Sequence, residues 1–325
     1  SGAIANLYAF MATTEPGDTI IAPPPTIGGH VTHHKGGSAG LYRLKTISAP
    51  VDASGYTIDI DALRKLAHEV KPQLITVGGS LNLFHHPIAE VRAIANEVGA
   101  KVLFDAAHLC GMIAGKVWPQ PLVEGAHLMT FSTYKSLGGP AGGLIVTNDD
   151  AIAQKLDAIA YPGLTANFDA AKTAALGVTL QDWKAVGADY AQMMVKTSKA
   201  LAQNLQDRGV NIYAADKGFT MSHQFAILAA PYGGGQRAAK RMGEAGLLAC
   251  GIGLPIAPVA GDLNGLRIGT PEIVRLGMKV EHMDQLADFI ARSLDTSVEP
   301  SEVKREVTEW RKQFSGVHYT VDLPN

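Results

Sequence analysis

Continuous apolar segments that alternate with amphipathic segments constrain the fold of this chain more than any other feature. Residues 72–80 (PQLITVGGS), 100–108 (AKVLFDAAH) and 126–135 (AHLMTFSTYK) contain strand-like apolar runs without in-and-out alternation. Residues 60–70 and 88–99, which precede two of these runs, carry apolar side chains at helical spacing. Strands of this kind occur in parallel sheets that helices cover on both faces. The pattern therefore predicts an α/β fold with a mainly parallel central sheet.

The character of the sequence changes near Thr179. A long helical stretch from Asp189 to Gly209 leads to two shorter strand patterns, VNIYAA (210–215) and QFAILAAP (224–231). A chain of 325 residues has room for two domains. We predict a large α/β domain over residues 1–180 and a smaller α+β domain over residues 181–325.

The first residues, SGAIANLYAFMATT, begin a helical pattern without a methionine and without a preceding strand. We therefore expect that an N-terminal segment is missing from this sequence.

Composition and charge exclude several classes of partner. The net charge is −2, so the chain lacks the basic excess of a nucleic-acid-binding protein. The longest apolar run, residues 246–261, is interrupted by Gly and Pro and is too short to span a bilayer. Two cysteines, Cys110 and Cys250, lie in apolar settings, which suits a reducing compartment. We expect a cytoplasmic protein that binds neither nucleic acid nor membrane.

Three polar residues, Ser80, Asp105 and Lys135, each follow a predicted strand. Ligands of open α/β sheets collect at the C-terminal ends of the strands, so we expect these side chains to meet. Asp105 follows an apolar run and needs a cationic partner if it is buried. We expect His108, three residues later, to lie on the same side of the turn.

An aspartate after one strand and a lysine after the next match the needs of pyridoxal 5′-phosphate (PLP). A desolvated Lys135 would be a nucleophile for the PLP aldehyde and form a Schiff base. Asp105 would keep the pyridine nitrogen protonated, so that the ring accepts electrons. The N-terminus of the first predicted helix, at residues 1–3, offers N–H groups to the phosphate.

Six sequence blocks extend this pattern over nearly the whole chain. The blocks are SGAIAN, PGDTI, GGHVTH, FDAAHLCGMIAG, TFSTYKSLGGPAGG and LRIGTPEI. In them the chain resembles the serine hydroxymethyltransferase family, which consists of fold-type I PLP enzymes with an aspartate aminotransferase-like fold. The resemblance also implies a homodimer or a tetramer.

Four side chains receive roles on the cofactor ring from this resemblance. Lys135 carries PLP covalently, and Asp105 pairs with the pyridine nitrogen. His108 hydrogen-bonds near the phenolic oxygen of PLP, and His30 stacks on the ring face. The histidines near His30 lack the spacing of a zinc motif, so no metal is expected.

Further residues are implied at the phosphate and at the substrate. Ser1, Gly2 and Ala3 form the phosphate loop, although the family usually has a second serine where Ala3 stands. Ser80 lies near the ring substituents and, together with Arg267, contacts the substrate carboxylate. A guanidinium suits that task because it can bind a carboxylate through two parallel hydrogen bonds.

The chain departs from the family pattern mainly where folate binds. Tyr134, Ser136 and Ala141 replace the usual histidine, threonine and arginine around the lysine. Residues 250–261 (CGIGLPIAPVAG) and the prolines at 23–25 alter segments that border the folate site. The use of tetrahydrofolate is therefore left open, whereas the PLP residues are retained.

The resemblance implies a PLP-dependent hydroxymethyltransferase or aldolase that makes or breaks the Cα–Cβ bond of a serine-like β-hydroxy-α-amino acid. Serine or 2-methylserine would give glycine or alanine and a one-carbon aldehyde unit. The alternatives are a threonine-type aldolase or transaldolase, an aminotransferase of the same fold, and a non-catalytic PLP-binding protein. The family's acid/base glutamate precedes the present Ser1.

Overall fold

The computed structural model describes residues 1–321. The chain divides into two compact units, Ser1–Gln181 and Asp182–Asn325.

The first unit is built around a six-stranded sheet. Its strands, with those of a separate ribbon, are β1 (Thr19–Ala22), β2 (Lys45–Ser48), β3 (Val51–Asp52), β4 (Thr57–Ile58), β5 (Leu74–Gly78), β6 (Lys101–Asp105), β7 (Leu128–Ser132) and β8 (Gly143–Thr147). The strand order in the sheet is β2-β1-β5-β6-β7-β8, and every neighbouring pair is parallel except the antiparallel pair β7 and β8. The separate two-stranded ribbon pairs β3 with β4.

Helices connect these strands, and their ends follow local sequence signals. Asp59 caps one of them by accepting a hydrogen bond from the Ala62 N–H at 3.0 Å. Gly99 ends another in the left-handed conformation, at φ 77°. The helices are α1 (Gly2–Thr13), α2 (Ser38–Leu41), α3 (Ile60–Val70), α4 (Ile88–Val98), α5 (Cys110–Ala114), α6 (Pro121–Glu124) and α7 (Asp150–Ala158), with short 3₁₀ turns at Pro25–Ile27 and Val31–His33 and a π-helical turn at Ile159–Leu164.

The core of this unit lies on the central strands, as the apolar runs predict. All five residues of β5 and of β7 are buried. Phe10 of α1 packs in one cluster with Leu74, Leu103 and Leu128 from the three central strands. The predicted mainly parallel sheet is confirmed.

The second unit contains a three-stranded antiparallel sheet in the order β10-β11-β9, with helices packed against it. A long helix, α8 (Ala170–Asp207), contains the boundary between the two units. The remaining elements are β9 (Gln224–Leu228), α9 (Gly235–Glu244), β10 (Cys250–Ile252), β11 (Gly265–Gly269), α10 (Pro271–Arg275), α11 (Met283–Leu294) and α12 (Pro300–Arg311), with 3₁₀ turns at Ala215–Lys217, Ala230–Tyr232 and Val280–His282.

Some predicted elements differ from the structure. The VNIYAA segment forms only an isolated bridge, between Ile212 and Ile227, because the turn at Ala215–Lys217 follows at once. The helical segment after Pro271 is interrupted at Gly277, whose φ of 97° is incompatible with a helix.

Both cysteines are free thiols, and Cys250 is only half-buried. Within residues 1–321, no helix is long and apolar enough to cross a membrane.

Candidate active site

The C-terminal ends of the central strands form the edge at which the candidate site lies. Gly78, Asp105 and Thr130 are aligned there in register across β5, β6 and β7. Lys135 lies in the turn after β7, where its N–H bonds the Ser132 carbonyl at 3.3 Å. Asp105 and Lys135 both line the same cavity.

A cavity of about 160 Å³ opens at this edge. The structure brings together here every residue that the sequence placed in the cofactor site. These are Ser1, Gly2, Ala3, His30, Ser80, Asp105, His108 and Lys135, and Asn6, Gly79, Ala107, Ser132 and Tyr134 complete the lining.

Asp105 is only 2% exposed, yet its surroundings favour the ionised carboxylate. Oδ2 accepts hydrogen bonds from His33 Nε2 at 2.8 Å and from Asn6 Nδ2 at 3.0 Å. Oδ1 accepts from the Ala107 N–H at 3.0 Å. Burial alone would raise the pKa of Asp105, but these donors, above all His33, outweigh it and hold the pKa well below its ordinary value.

The imidazole that hydrogen-bonds Asp105 is that of His33, not that of His108. His33 is 1% exposed, and its ring makes a T-shaped contact with the Phe10 ring, with 5.5 Å between the two ring centroids. The 3₁₀ turn at Val31–His33 directs the ring inward. No role for His33 follows from the sequence, since nothing in it brings residue 33 close to residue 105.

Asn6 is a second member of the site that the sequence analysis did not identify. Its amide Nδ2 donates to Thr32 Oγ1 at 2.9 Å and to Asp105 Oδ2 at 3.0 Å. Its Oδ1 accepts from Thr130 Oγ1 at 2.6 Å. A polar amide within the apolar helix α1 is the signal that would have indicated a buried polar contact.

Lys135 contacts His108 directly. Its Nζ lies 3.0 Å from His108 Nε2, and an ammonium or amine can only donate to that nitrogen when the imidazole is neutral. His108 follows β6 and Lys135 follows β7. The contact therefore joins the loops of two neighbouring strands.

Ser136 hydrogen-bonds the backbone of His108. Its hydroxyl donates to the His108 carbonyl at 2.6 Å and accepts from the Gly111 N–H at 3.0 Å. The side chain is 2% exposed and lies 3.3 Å from Cys110 Sγ. The serine at position 136, where the family usually has threonine, therefore contributes to packing. Tyr134, in contrast, lines the cavity and is 46% exposed.

Glycines let backbone segments approach closely around the cavity. A Cβ on Gly2 would collide with Ser132 Oγ, and a Cβ on Gly79 would collide with the Gly28 carbonyl oxygen. Ser1 caps α1, since its Oγ accepts from the Ile4 N–H at 3.4 Å. The first turn of α1 thus presents backbone N–H groups and a hydroxyl beside the cavity.

These features fit PLP. An amine and a buried ionised carboxylate line one cavity, and a helix N-terminus suited to a phosphate lines it too. Within residues 1–321, no group of three or more His, Cys, Asp or Glu side chains is placed to hold a metal ion.

Arg267, the remaining predicted site residue, belongs to the second unit. It lies in β11, opposite Cys250 on one side and Ala226 on the other. Burial, together with the nearby Arg267 charge, lowers the pKa of His223 to about 3. Contact between Arg267 and a substrate carboxylate stays a prediction.

Comparison with known proteins gives the same family as the motifs. An α-methylserine aldolase from Variovorax paradoxus is 64% identical over 321 residues, which cover 99% of this chain and 72% of the relative. An α-methylserine aldolase from Ralstonia sp is 58% identical over 98% of this chain and 73% of its own. The serine hydroxymethyltransferase of Sulfolobus acidocaldarius is 40% identical over 99% of this chain and 76% of its own.

A solved structure confirms the predicted fold class. The L-threonine transaldolase of Pseudomonas fluorescens superposes with a TM-score of 0.89, at 24% identity, over 98% of this chain and 72% of that one. A sequence model of the serine hydroxymethyltransferase family matches residues 1–290. The chain is thus a PLP-dependent enzyme of the transferase and aldolase type, and it belongs to the serine hydroxymethyltransferase family.

Proposed function

We propose that this enzyme cleaves and forms the Cα–Cβ bond of 2-methylserine, which yields alanine and formaldehyde, with PLP held covalently by Lys135. The observation that carries the proposal is the cavity that Lys135 and Asp105 share. The identity of 64% to α-methylserine aldolases, against 40% to a serine hydroxymethyltransferase, supports the choice of substrate.

Asp105 would bind the pyridine nitrogen of PLP. A carboxylate that stays ionised while buried stabilises a protonated ring nitrogen, and PLP in that state supplies the electron sink for bond cleavage. His30 would lie against the ring face, and His108 near the phenolic oxygen. Residues 1–3, at the start of α1, would bind the phosphate.

Lys135 and His108 would handle the proton at the amine. The 3.0 Å contact places the Lys135 nitrogen beside His108 Nε2, and a neutral imidazole there would accept a proton when the substrate amine replaces the lysine. Ser80 and Arg267 would hold the substrate carboxylate. That hold would orient the Cα–Cβ bond for cleavage.

The α-methyl group of the substrate restricts the chemistry. 2-Methylserine has no hydrogen on Cα, so neither proton abstraction from Cα nor amino-group transfer can start there. Cleavage of the Cα–Cβ bond removes the proton of the β-hydroxyl and releases formaldehyde. Protonation of Cα then gives alanine, so the atoms balance without an oxidant or a second substrate.

Tetrahydrofolate is not required by this reaction. The altered segments around residues 23–25 and 250–261 support release of free formaldehyde over its transfer. A transfer reaction remains the alternative outcome of the experiment that follows.

The experiment compares wild-type protein with Lys135→Ala and with the exposed control Lys155→Ala. Each is incubated with 2-methylserine, serine, threonine, alanine or glycine, with and without tetrahydrofolate, and formaldehyde, acetaldehyde and keto acids are measured. We expect folate-independent formaldehyde from 2-methylserine in wild type and Lys155→Ala, and no reaction or PLP absorption band in Lys135→Ala. Preference for threonine, strict folate dependence, or keto acid as the main product would contradict the proposal.

We also propose that the enzyme is a homodimer. Three apolar side chains close together in the sequence, Tyr161, Leu164 and Phe168, are exposed at 66%, 49% and 83%. A surface of this kind is typical of an interface. Light scattering coupled to size-exclusion chromatography would contradict the proposal if it gave the mass of one chain.

A further inference from the structure

Asn6 uses its whole amide group within the buried part of the site. It is 2% exposed, and the two hydrogens of Nδ2 go to Thr32 Oγ1 and Asp105 Oδ2. The Oδ1 of Asn6 accepts from Thr130 Oγ1. If the amide were flipped, its carbonyl oxygen would instead face the ionised carboxylate of Asp105. The orientation of the Asn6 side chain is therefore determined by its partners.

Thr32 passes this orientation on to His30. Its hydroxyl oxygen accepts from Asn6, which leaves the hydroxyl hydrogen for His30 Nδ1 at 2.9 Å. The Thr32 backbone N–H also points at His30 Nδ1, at 3.3 Å. A backbone N–H can only donate, so His30 Nδ1 is an acceptor and the ring proton of neutral His30 lies on Nε2.

We propose that Asn6 is a positioning residue that couples Asp105 to His30 through Thr32. The coupling runs from carboxylate to amide, from amide to hydroxyl, and from hydroxyl to imidazole. It rests on the proposed function in taking Asp105 and His30 as the residues that contact PLP. One side chain of α1 thereby sets both the partner of the ring nitrogen and the tautomer of the residue against the ring face.

The geometry explains why both links need this residue type. Asp105, when ionised, is only an acceptor, and the Thr32 oxygen must also accept if its hydrogen is to reach His30. Both neighbours therefore need a donor, and an amide NH₂ has two hydrogens on one atom. His33 Nε2 also lies 3.4 Å from Asn6 Nδ2, but its short bond to Asp105 keeps it on the carboxylate.

The first test measures the tautomer of His30 in the full chain without PLP. Selective ¹⁵N labelling of histidine separates the two neutral tautomers and the imidazolium, and His30→Gln identifies the His30 signals. We expect the Nε2–H form in wild type and Thr32→Ser, and a shift toward a tautomer mixture in Thr32→Val and Asn6→Leu. Unchanged His30 signals in Asn6→Leu would overturn the coupling, whatever Thr32→Val shows.

The second test measures the dissociation constant of PLP for the same variants. A hydrogen bond to a charged group is stronger than one between neutral groups, so we expect about tenfold weaker binding or more in Asn6→Leu. Thr32→Ser and the exposed control Asn148→Asp should match wild type, and circular dichroism verifies folding. Wild-type affinity in Asn6→Leu would contradict the proposal. Absence of PLP binding in every protein would contradict the proposed function instead, while the His30 signals still decide the coupling.

Discussion

Asp105 shows how a buried carboxylate can keep its charge. Burial works against ionisation, and three donors from separate segments reverse its effect on the pKa. His33, Asn6 and the Ala107 N–H supply them. An ionised carboxylate at this position is what a protonated pyridine nitrogen requires.

Replacing this charge should disable the site without removing the lysine. In Asp105→Asn we expect cleavage of 2-methylserine to fall by about 100-fold, since a hydrogen bond to a charged group is replaced by a neutral one. The absorption band of bound PLP should persist. Asp157→Asn, an exposed control, should behave as wild type, and equal activity in the two variants would contradict the assignment of Asp105.

Ser136 makes a different kind of contribution. Its hydroxyl hydrogen-bonds the His108 carbonyl in the loop after β6 and the Gly111 N–H in α5. Ser136→Ala would leave a buried N–H and a buried carbonyl without these bonds. We expect a loss of about 1–3 kcal/mol in the free energy of unfolding, measured with urea. The exposed Ser301→Ala should change it little, and an equal effect in the two variants would show that these bonds are unimportant.

At the scale of elements, the site depends on close contact between the end of β5 and the loop after β1. The Ser80 N–H bonds the Gly28 carbonyl at 2.7 Å, and Gly79 leaves no room for a Cβ beside that oxygen. From the other side, Asn82 Nδ2 donates to the Gly79 carbonyl at 2.9 Å, and His86 Nε2 donates to Asn82 Oδ1 at 2.9 Å. Hydrogen bonds from two sides thus hold the turn at Gly79 and Ser80 in place.

A matched pair of glycine variants tests this contact. Gly79→Ala should lower the free energy of unfolding by about 1–3 kcal/mol and weaken PLP binding, because two backbone segments must separate. Gly177 in α8 has open space around its Cα and no positive φ, so Gly177→Ala should raise stability by up to about 1 kcal/mol. Equal effects in thermal unfolding would contradict the argument.

At the scale of the whole molecule, histidines with lowered pKa values make stability depend on pH. Burial lowers the pKa of His86 to about 4, and burial together with Arg267 lowers that of His223 to about 3. Between these lowered pKa values and the ordinary histidine pKa of 6.5, the unfolded chain binds protons that the folded chain does not. Stability must therefore fall as the pH decreases through this window. The lowered pKa of Asp105 has the same sign, since its contribution is lost when the carboxylate is protonated at lower pH.

Removing one of these histidines should flatten the pH dependence. In His86→Gln the slope of the unfolding free energy between pH 6 and about 4 should decrease by about 1.4 kcal/mol per pH unit. The glutamine amide can still donate toward Asn82. His318→Gln, at an exposed position, should leave the slope as in wild type. Urea titrations at a series of pH values measure it, and parallel curves for all three proteins would contradict the prediction.

The sequence by itself determined the fold class and the position of Ser80, Asp105 and Lys135 at the sheet edge. Parallel strands end on the same side of a sheet, and apolar runs in the sequence mark where they end. The motif blocks also indicated the family, and the match of residues 1–290 to the serine hydroxymethyltransferase family model confirms it.

Only the tertiary structure decided which groups meet inside the site. The side-chain partners of Asp105 lie 72 and 99 residues away in sequence, in His33 and Asn6, and the nearby His108 contacts Lys135 instead. A hydrogen bond depends on distances of about 3 Å and on the direction of each donor, and the spacing of residues along a chain does not specify either across separate elements. The packing of α1 and of the turn at Val31–His33 against the strand ends specifies both.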